Sequence, residues 1–279
     1  MKGDISMNVA IIGCGVIGST LAKAIDEGRA GSVKLIYLFD VNREKAVKLA
    51  SSLKGKPKVA ESVNEILSDR SVDLVIEAAA PSAVKEYGEK ILLSGKNLMV
   101  MSVGAFSDQD FYEKILRIVR ERNVHVYIPS GAVSGIDAIK AASMESIERV
   151  ELVTRKPPAA FKGNEYVKQK GVDLDKLKEP LVLFEGTARE AARLFPKGMN
   201  VALTISLAGI GADKTKVKVV ADPTIKKNVH EIYVEGAFGK LTCITQNFPS
   251  PENPETSYLA ALSAIKTLKQ LTERFKVGT

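Results

Sequence analysis

Residues Asn8 to Ile12 form a short apolar run that stops at Gly13, and from Ser19 to Glu27 the apolar spacing turns helical, with Leu21, Ala24 and Ile25 on one side. The same alternation continues along the next hundred residues. Val33 to Phe39 is a second apolar run, closed by Asp40, and Arg43 to Leu53 follows with helical spacing. Val72 to Ala79, Asn97 to Ser102 and Val124 to Ile128 read as further strands. Ala83 to Leu93 and Asp110 to Arg122 read as the helices between them. Apolar strands alternating with amphipathic helices predict a parallel sheet covered on both faces.

The pattern changes near residue 130. Val150–Thr154 and Leu181–Glu185 read as strands separated by a Lys-rich polar stretch, and Thr187-Ala-Arg-Glu190 is a capping box opening a helix to Leu194. Met199 to Ala208 is helical. Lys216–Ala221, Val229–Val234 and Lys240–Thr245 alternate as strands, with Gly236-Ala-Phe-Gly239 as a hairpin turn, and Glu255–Phe275 reads as one final helix. The expectation is an α/β Rossmann domain over 1–130 and a smaller α+β domain with a mostly antiparallel sheet over 131–250. A C-terminal helix over 251–279 is expected to pack back on the first domain.

Gly13-Cys14-Gly15-Val16-Ile17-Gly18 has the spacing G-x-G-x-x-G between a strand and a helix, which is the context a dinucleotide needs. Gly13 permits the tight turn, Gly15 admits the pyrophosphate, and Gly18 lets the helix sit close to the strand. Val16 and Ile17 open that helix, whose N-terminus favours an anion. Asp40 lies at the end of the second strand, where a carboxylate binds the adenosine ribose and repels a 2′-phosphate. NAD is the expected cofactor, and Arg43, three residues on, leaves NADP open. The small-residue turns Ala78–Pro81, which includes Ala80, and Ser102–Ala105 end the third and fourth strands. They line the ligand cleft or are simply tight turns.

There are two histidines in the chain. His125, inside Val-His-Val-Tyr-Ile, reads as a buried structural residue of the fifth strand. His230 shares a strand face with Ile232 and Val234, opposite Glu231 and Tyr233. The residues alone leave it open between a satisfied core histidine and an acid–base catalyst.

Composition narrows the partners. In 279 residues, 45% are hydrophobic and 26% charged, as in ordinary globular chains. The net charge is +7, but Lys and Arg are scattered without interleaved aromatics, so nucleic acid is not expected. No run reaches the length of a membrane span and no export signal is visible, so a cytoplasmic protein is expected. Cys14 and Cys243 are isolated, which gives neither a disulfide framework nor a metal site.

Five blocks together, GCGVIG, SGAVSGIDAI (130–139), FPKGMNVALTISLAG (195–209), VVADP (219–223) and NVHEI (228–232), resemble the L-aspartate dehydrogenase family over essentially the whole chain. The resemblance implies NAD(P)-dependent oxidation of L-aspartate to iminoaspartate, hydrolysed to oxaloacetate and ammonia or passed to NAD biosynthesis. It implies that His230 is the active-site residue, that Ala132 and Asn200 contact the NAD, and that the enzyme is a homodimer. Asn200 by itself also suits a helix cap. Lys197 and Lys140 are the candidate cations for the substrate carboxylates. The rival readings are another two-domain enzyme, such as homoserine dehydrogenase or a sugar dehydrogenase, and a non-catalytic NAD-responsive binder. Gly95-Lys96-Asn97 lacks the Glu-Lys-Pro motif of the sugar enzymes.

Overall fold

Apolar strands need cover on both faces, and the first sheet shows why these do. In the computed structural model, which describes residues 6–196, 198–250 and 253–278, the six parallel strands are β1 (Met7–Ile12), β2 (Val33–Phe39), β3 (Lys58–Val59), β4 (Leu74–Glu77), β5 (Asn97–Val100) and β6 (Val126–Tyr127). Their order is β3-β2-β1-β4-β5-β6, so the direction of winding reverses between β1 and β4. Ligands of open α/β sheets bind outside the carboxyl ends of the strands at that reversal. Successive residues of β1 and β4, among them Val9, Ala10, Ile11, Leu74, Val75 and Ile76, are fully buried, which requires helices on both sides.

The connecting helices are α1 (Val16–Asp26), α2 (Arg43–Ser52), α3 (Val63–Ser68), α4 (Pro81–Leu93) and α5 (Gln109–Glu121). α2 and α5 start on side-chain caps: Asn42 accepts from the Lys45 N–H and Asp108 from the Phe111 N–H. β3 and α3 are additions to the sequence reading. A two-residue strand is too short for any periodicity to reveal. His125 is a correction: the strand begins at Val126, and His125 is exposed, its N–H donating to Asn97 Oδ1 at 2.8 Å. β6 is the edge of the sheet, so its apolar run is covered less than an interior strand would be.

The chain divides into two units. One runs to Pro129 and includes Ala261–Val277; the other is Ser130–Ala260 with the last two residues. The second holds α6 (Ile136–Ala142), β7 (Ile147–Lys156), α7 (Glu165–Gln169), β8 (Leu181–Thr187), α8 (Ala188–Leu194), α9 (Asn200–Ala208), β9 (Lys216–Ala221), β10 (Asn228–Gly236) and β11 (Gly239–Asn247). The sheet order is β11-β10-β7-β9-β8. Its ladders are antiparallel except for β7–β9, which is parallel. α8 opens on the Thr187/Glu190 capping box.

Residues 253–257, read from sequence as helix from Glu255 onward, instead form β13 (Asn253–Ser257), paired with β12 (Pro249–Ser250). The helix proper, α10, is Tyr258–Thr272. Ala264, Ile265 and Leu268 belong to the same apolar cluster as Val9, Leu21, Ile25 and Leu38. Burying side chains such as Ile265 and Leu268 contributes about 1.5–3 kcal/mol each. Thr272 Oγ1 also accepts from the Ser32 N–H at 3.2 Å, tying the end of α10 to the start of β2.

Candidate active site

The glycine loop of the first unit has the shape a dinucleotide requires. Gly13 has φ +99°, and a Cβ there would come within 2.6 Å of the Ala78 carbonyl oxygen. A Cβ on Gly18 would collide with the Gly13 carbonyl, so α1 packs close to β1 only because Gly18 has none. Gly15 meets nothing within 4 Å, leaving its backbone open to a ligand. Val16 and Ile17 begin α1, where first-turn N–H groups have no intrahelical acceptor and the helix dipole favours an anion.

Asp40 is built into that loop. Its carboxylate accepts from the Cys14 N–H at 2.7 Å and from the Asn42 N–H at 2.8 Å, so the acid is held at the carboxyl end of β2. Burial, and then the Asp40 charge, push the neighbouring Cys14 thiol up to about 12, so it stays protonated. Arg43 is ion-paired with Glu61 at 2.8 Å on the exposed surface.

Ala80 is the N-cap of α4 and lies in a turn organised by a residue that sequence reasoning passed over. Glu77, 1% exposed at the end of β4, accepts from the Ala79 N–H at 2.8 Å, the Ser102 N–H at 3.0 Å and the Ser102 hydroxyl at 2.8 Å. One buried carboxylate thus joins the turns that end β4 and β5. Burial raises its pKa against the donors that favour its charged form. A carboxylate closing an otherwise apolar strand was the signal available in the sequence.

In the second unit, His230 lies in β10 directly opposite Thr154 of β7. It is 2% exposed, and its Nδ1 is 3.0 Å from Thr154 Oγ1. Burial, and secondarily the charge of Lys156, lower the imidazole pKa to about 3, so the ring is neutral at physiological pH. Thr154 engages Nδ1 and leaves Nε2 as the nitrogen able to exchange a proton with a bound molecule. On the other face of the sheet, Glu231 accepts from Arg155 at 2.6 Å and from the Tyr233 hydroxyl at 2.7 Å. The period of two therefore separates a charged, ion-paired face from the buried face that carries His230.

The segment 131–135 lies against that buried face. Thr245 of β11 is the partner of His230 in the other ladder, and its hydroxyl accepts from the Ser134 N–H at 3.2 Å. The Ala132 carbonyl accepts from Asn247 Nδ2 at 2.8 Å, with both residues buried. Gly135, φ +83°, packs against Cys243, whose Sγ a Cβ would meet at 2.6 Å. Ala132 and His230 are thus held on one side of one sheet.

α9 covers the same face. Gly209 at its C-terminal end lies against Val150 and Ile139, whereas Gly198, before its first turn, lies against Lys156 at the far end of β7. The helix therefore runs antiparallel to β7 and brings Asn200, its exposed first residue, towards the His230 end. The buried hydroxyls of Thr204 and Ser206 are satisfied within the helix, by the Asn200 and Ala202 carbonyls. Near this end is a cavity of about 470 Å³ lined by Lys156, Phe161, Asn164, Tyr166, Phe195 and Met199, among others. Lys156 had no signal in sequence beyond being one Lys among many. Lys140 is exposed on α6, and Lys197 lies outside the described residues. Asp222 of the VVADP block is buried and accepts from the Thr224 N–H and hydroxyl at 2.9 and 2.6 Å, shaping the turn into β10.

Lys96 is accounted for structurally. It is 4% exposed and donates to the carbonyls of Asp69 and Val72 at 2.5 and 3.2 Å. Among the described residues there is no cluster of potential metal ligands, and no helix is long and apolar enough to cross a membrane.

Two family models match the chain, one on either side of residue 130. Residues 13–129 match the family model described as homoserine dehydrogenase, NAD binding domain, and residues 137–271 match that described as aspartate dehydrogenase, C-terminal. The chain is 47% identical to L-aspartate dehydrogenase of Methanosarcina acetivorans over 273 residues, 98% of this chain and all of that protein. It is 38% identical to that of Nitrosopumilus maritimus, covering 97% of this chain and 99% of the relative. Among solved structures, aspartate dehydrogenase from Thermotoga maritima superposes with a TM-score of 0.78 at 31% identity, covering 98% of this chain and all of that one. A hyperthermophilic archaeal homoserine dehydrogenase in complex with NADPH shares the fold, with a TM-score of 0.61 at 13% identity.

Proposed function

The chain belongs to the aspartate dehydrogenase family, and we propose that it oxidises L-aspartate with NAD(P)⁺ and water to oxaloacetate, ammonium, NAD(P)H and a proton. The observation that carries this reading is His230: a neutral imidazole, buried and oriented by Thr154, on a chain whose relatives carry that name over their full length. Homoserine dehydrogenase is set aside because the second unit matches the aspartate dehydrogenase model.

The first unit fits an NAD(P) cofactor by its open Gly15 backbone and the close approach that Gly13 and Gly18 permit. Gly13, Gly15, Val16, Ile17 and Gly18 would cradle the pyrophosphate, and Asp40 the adenosine ribose, with Ala80, Ala132 and Asn200 as the further contacts. The bound nicotinamide supplies the hydride acceptor. Asp40 supports NAD over NADP, because a carboxylate repels a 2′-phosphate and Arg43 is paired with Glu61.

The protein's own part is proton handling. The substrate α-amine must be neutral before its carbon is oxidised, and the iminoaspartate formed must then be attacked by water. His230 serves as the acid–base group at Nε2, its Nδ1 being held by Thr154. The unstable imine is either hydrolysed or handed to NAD biosynthesis. The free thiols of Cys14 and Cys243 suit a reducing cytoplasm. The partner is a second copy of the chain, and Ile244 and Phe248, 60% and 65% exposed near the β11 edge, support a homodimer there.

The test follows reduced-nicotinamide absorbance with L-aspartate, L-homoserine, L-glutamate and D-aspartate under either cofactor. Turnover of L-aspartate upholds the reading. Turnover of another substrate alone overturns it. Tight NAD binding with no turnover of any of them would make the chain a non-catalytic binder.

A further inference from the structure

We propose that Lys156 is the cation that takes a carboxylate of the dicarboxylate substrate, from the wall of the cavity formed by Phe161, Tyr166, Phe195 and Met199. The proposal rests on the reading of the chain as an L-aspartate dehydrogenase. It adds a residue that lies outside the glycine loop, the Asp40 turn and the histidine.

Strand register places Lys156 beside His230. Thr154 is the cross-strand partner of His230, and Lys156 lies two residues further along β7, on the same face and diagonal to the histidine. The intervening Arg155 points to the opposite face and is neutralised by Glu231 at 2.6 Å. The two cations at the end of β7 thus differ: among the described residues, Lys156 has no ion pair or hydrogen bond through its ammonium. Burial lowers its pKa and no acid counters that. Lys96, 4% exposed where Lys156 is half-buried, shows the usual solution for a fully buried lysine, with two backbone carbonyls receiving its ammonium. A partly desolvated charge without a protein partner is unfavourable, and an anionic ligand relieves it.

The surrounding backbone is shaped to admit this ammonium. Gly198 has φ +105°, and a Cβ there would collide with Lys156 Nζ. Phe195 stacks edge-on against Phe161 and Tyr166, so part of the cavity wall is apolar, while Lys162, Glu165 and Arg193 also line it. The volume of about 470 Å³ is ample for a four-carbon diacid. Met199, the N-cap of the nine-residue helix α9, lines it as well, adding the positive end of a helix dipole. The pairing also bears on His230, because the Lys156 charge helps hold the imidazole neutral. A carboxylate seated on Lys156 cancels that charge and makes the histidine more basic when substrate is present.

The experiment uses Lys156→Met, with Lys156→Gln as a second variant that keeps a donor without charge. At saturating NAD, both raise the KM for L-aspartate about 10- to 100-fold, the scale of one lost charge-assisted bond. The KM for NAD stays within about twofold, because the lost charge is assigned to the substrate and not to the cofactor. Succinate, a diacid without an amine, raises the melting midpoint of the wild type and leaves that of both variants unmoved. Without ligand, Lys156→Met melts no lower than the wild type, since it removes an unpaired charge. A wild-type KM for L-aspartate in both variants, or an undiminished succinate shift, overturns the proposal. Should the wild type fail to oxidise L-aspartate, the functional reading fails, and the succinate shift still decides whether Lys156 is a carboxylate site.

Discussion

His230 Nδ1 and Thr154 Oγ1 meet at 3.0 Å across two antiparallel strands, although the residues are 76 positions apart in sequence. That contact orients the ring. Replacing Thr154 with Val keeps the shape and removes the hydroxyl, so the imidazole loses its fixed tautomer. The expected result is a fall in kcat of about 10-fold or more, on the scale of general acid–base contributions, with the KM for NAD near wild type. His230→Ala should abolish turnover while leaving NAD affinity, measured by fluorescence titration, close to wild type. Equal loss of cofactor binding would make the histidine structural.

The same burial sets a pH dependence of stability. The folded-state pKa of His230, about 3, lies below the ordinary imidazole value of 6.5. The unfolded chain takes up a proton that the native state refuses, so this contribution is complete above about pH 6.5. It is lost as the pH falls from there towards 3, by an amount on the order of a few kcal/mol. Urea midpoints measured between pH 8 and pH 4 should therefore decline more steeply in the wild type than in His230→Asn. Parallel curves would show that the histidine is not desolvated in solution.

Asp40 should govern cofactor choice. Asp40→Ala removes the repulsion of a 2′-phosphate and the acceptor of the Cys14 and Asn42 amides. NAD binding weakens by about 10-fold or more, as for a lost hydrogen-bonding charge, while NADP binding changes less. An unchanged ratio of kcat/KM for the two cofactors would remove Asp40 from the ribose site.

Glu77 should matter to folding more than its position suggests. Glu77→Ala leaves the Ala79 and Ser102 donors without their acceptor inside the first unit, at a cost of about 2–4 kcal/mol in denaturant unfolding. Glu77→Gln retains one accepting oxygen and should cost less. Wild-type stability in the alanine variant would mean that the two turns hold themselves.

Features that depend on near neighbours could be read from the order of residues alone. The strand–helix alternation of the first unit, the glycine loop between β1 and α1 and the placing of His230 on an apolar strand face were all legible, because each is written in spacings of two to four residues. The tertiary structure decided what depends on register between distant strands. Thr154 became the partner of His230, Lys156 came onto its face, and Glu77 joined two turns, through pairings that no local period encodes. The exposure of His125 was likewise decided by the position of β6 at a sheet edge. An apolar run reads the same whether or not another strand lies beyond it. Only assembly of the sheet settles which side chains are covered.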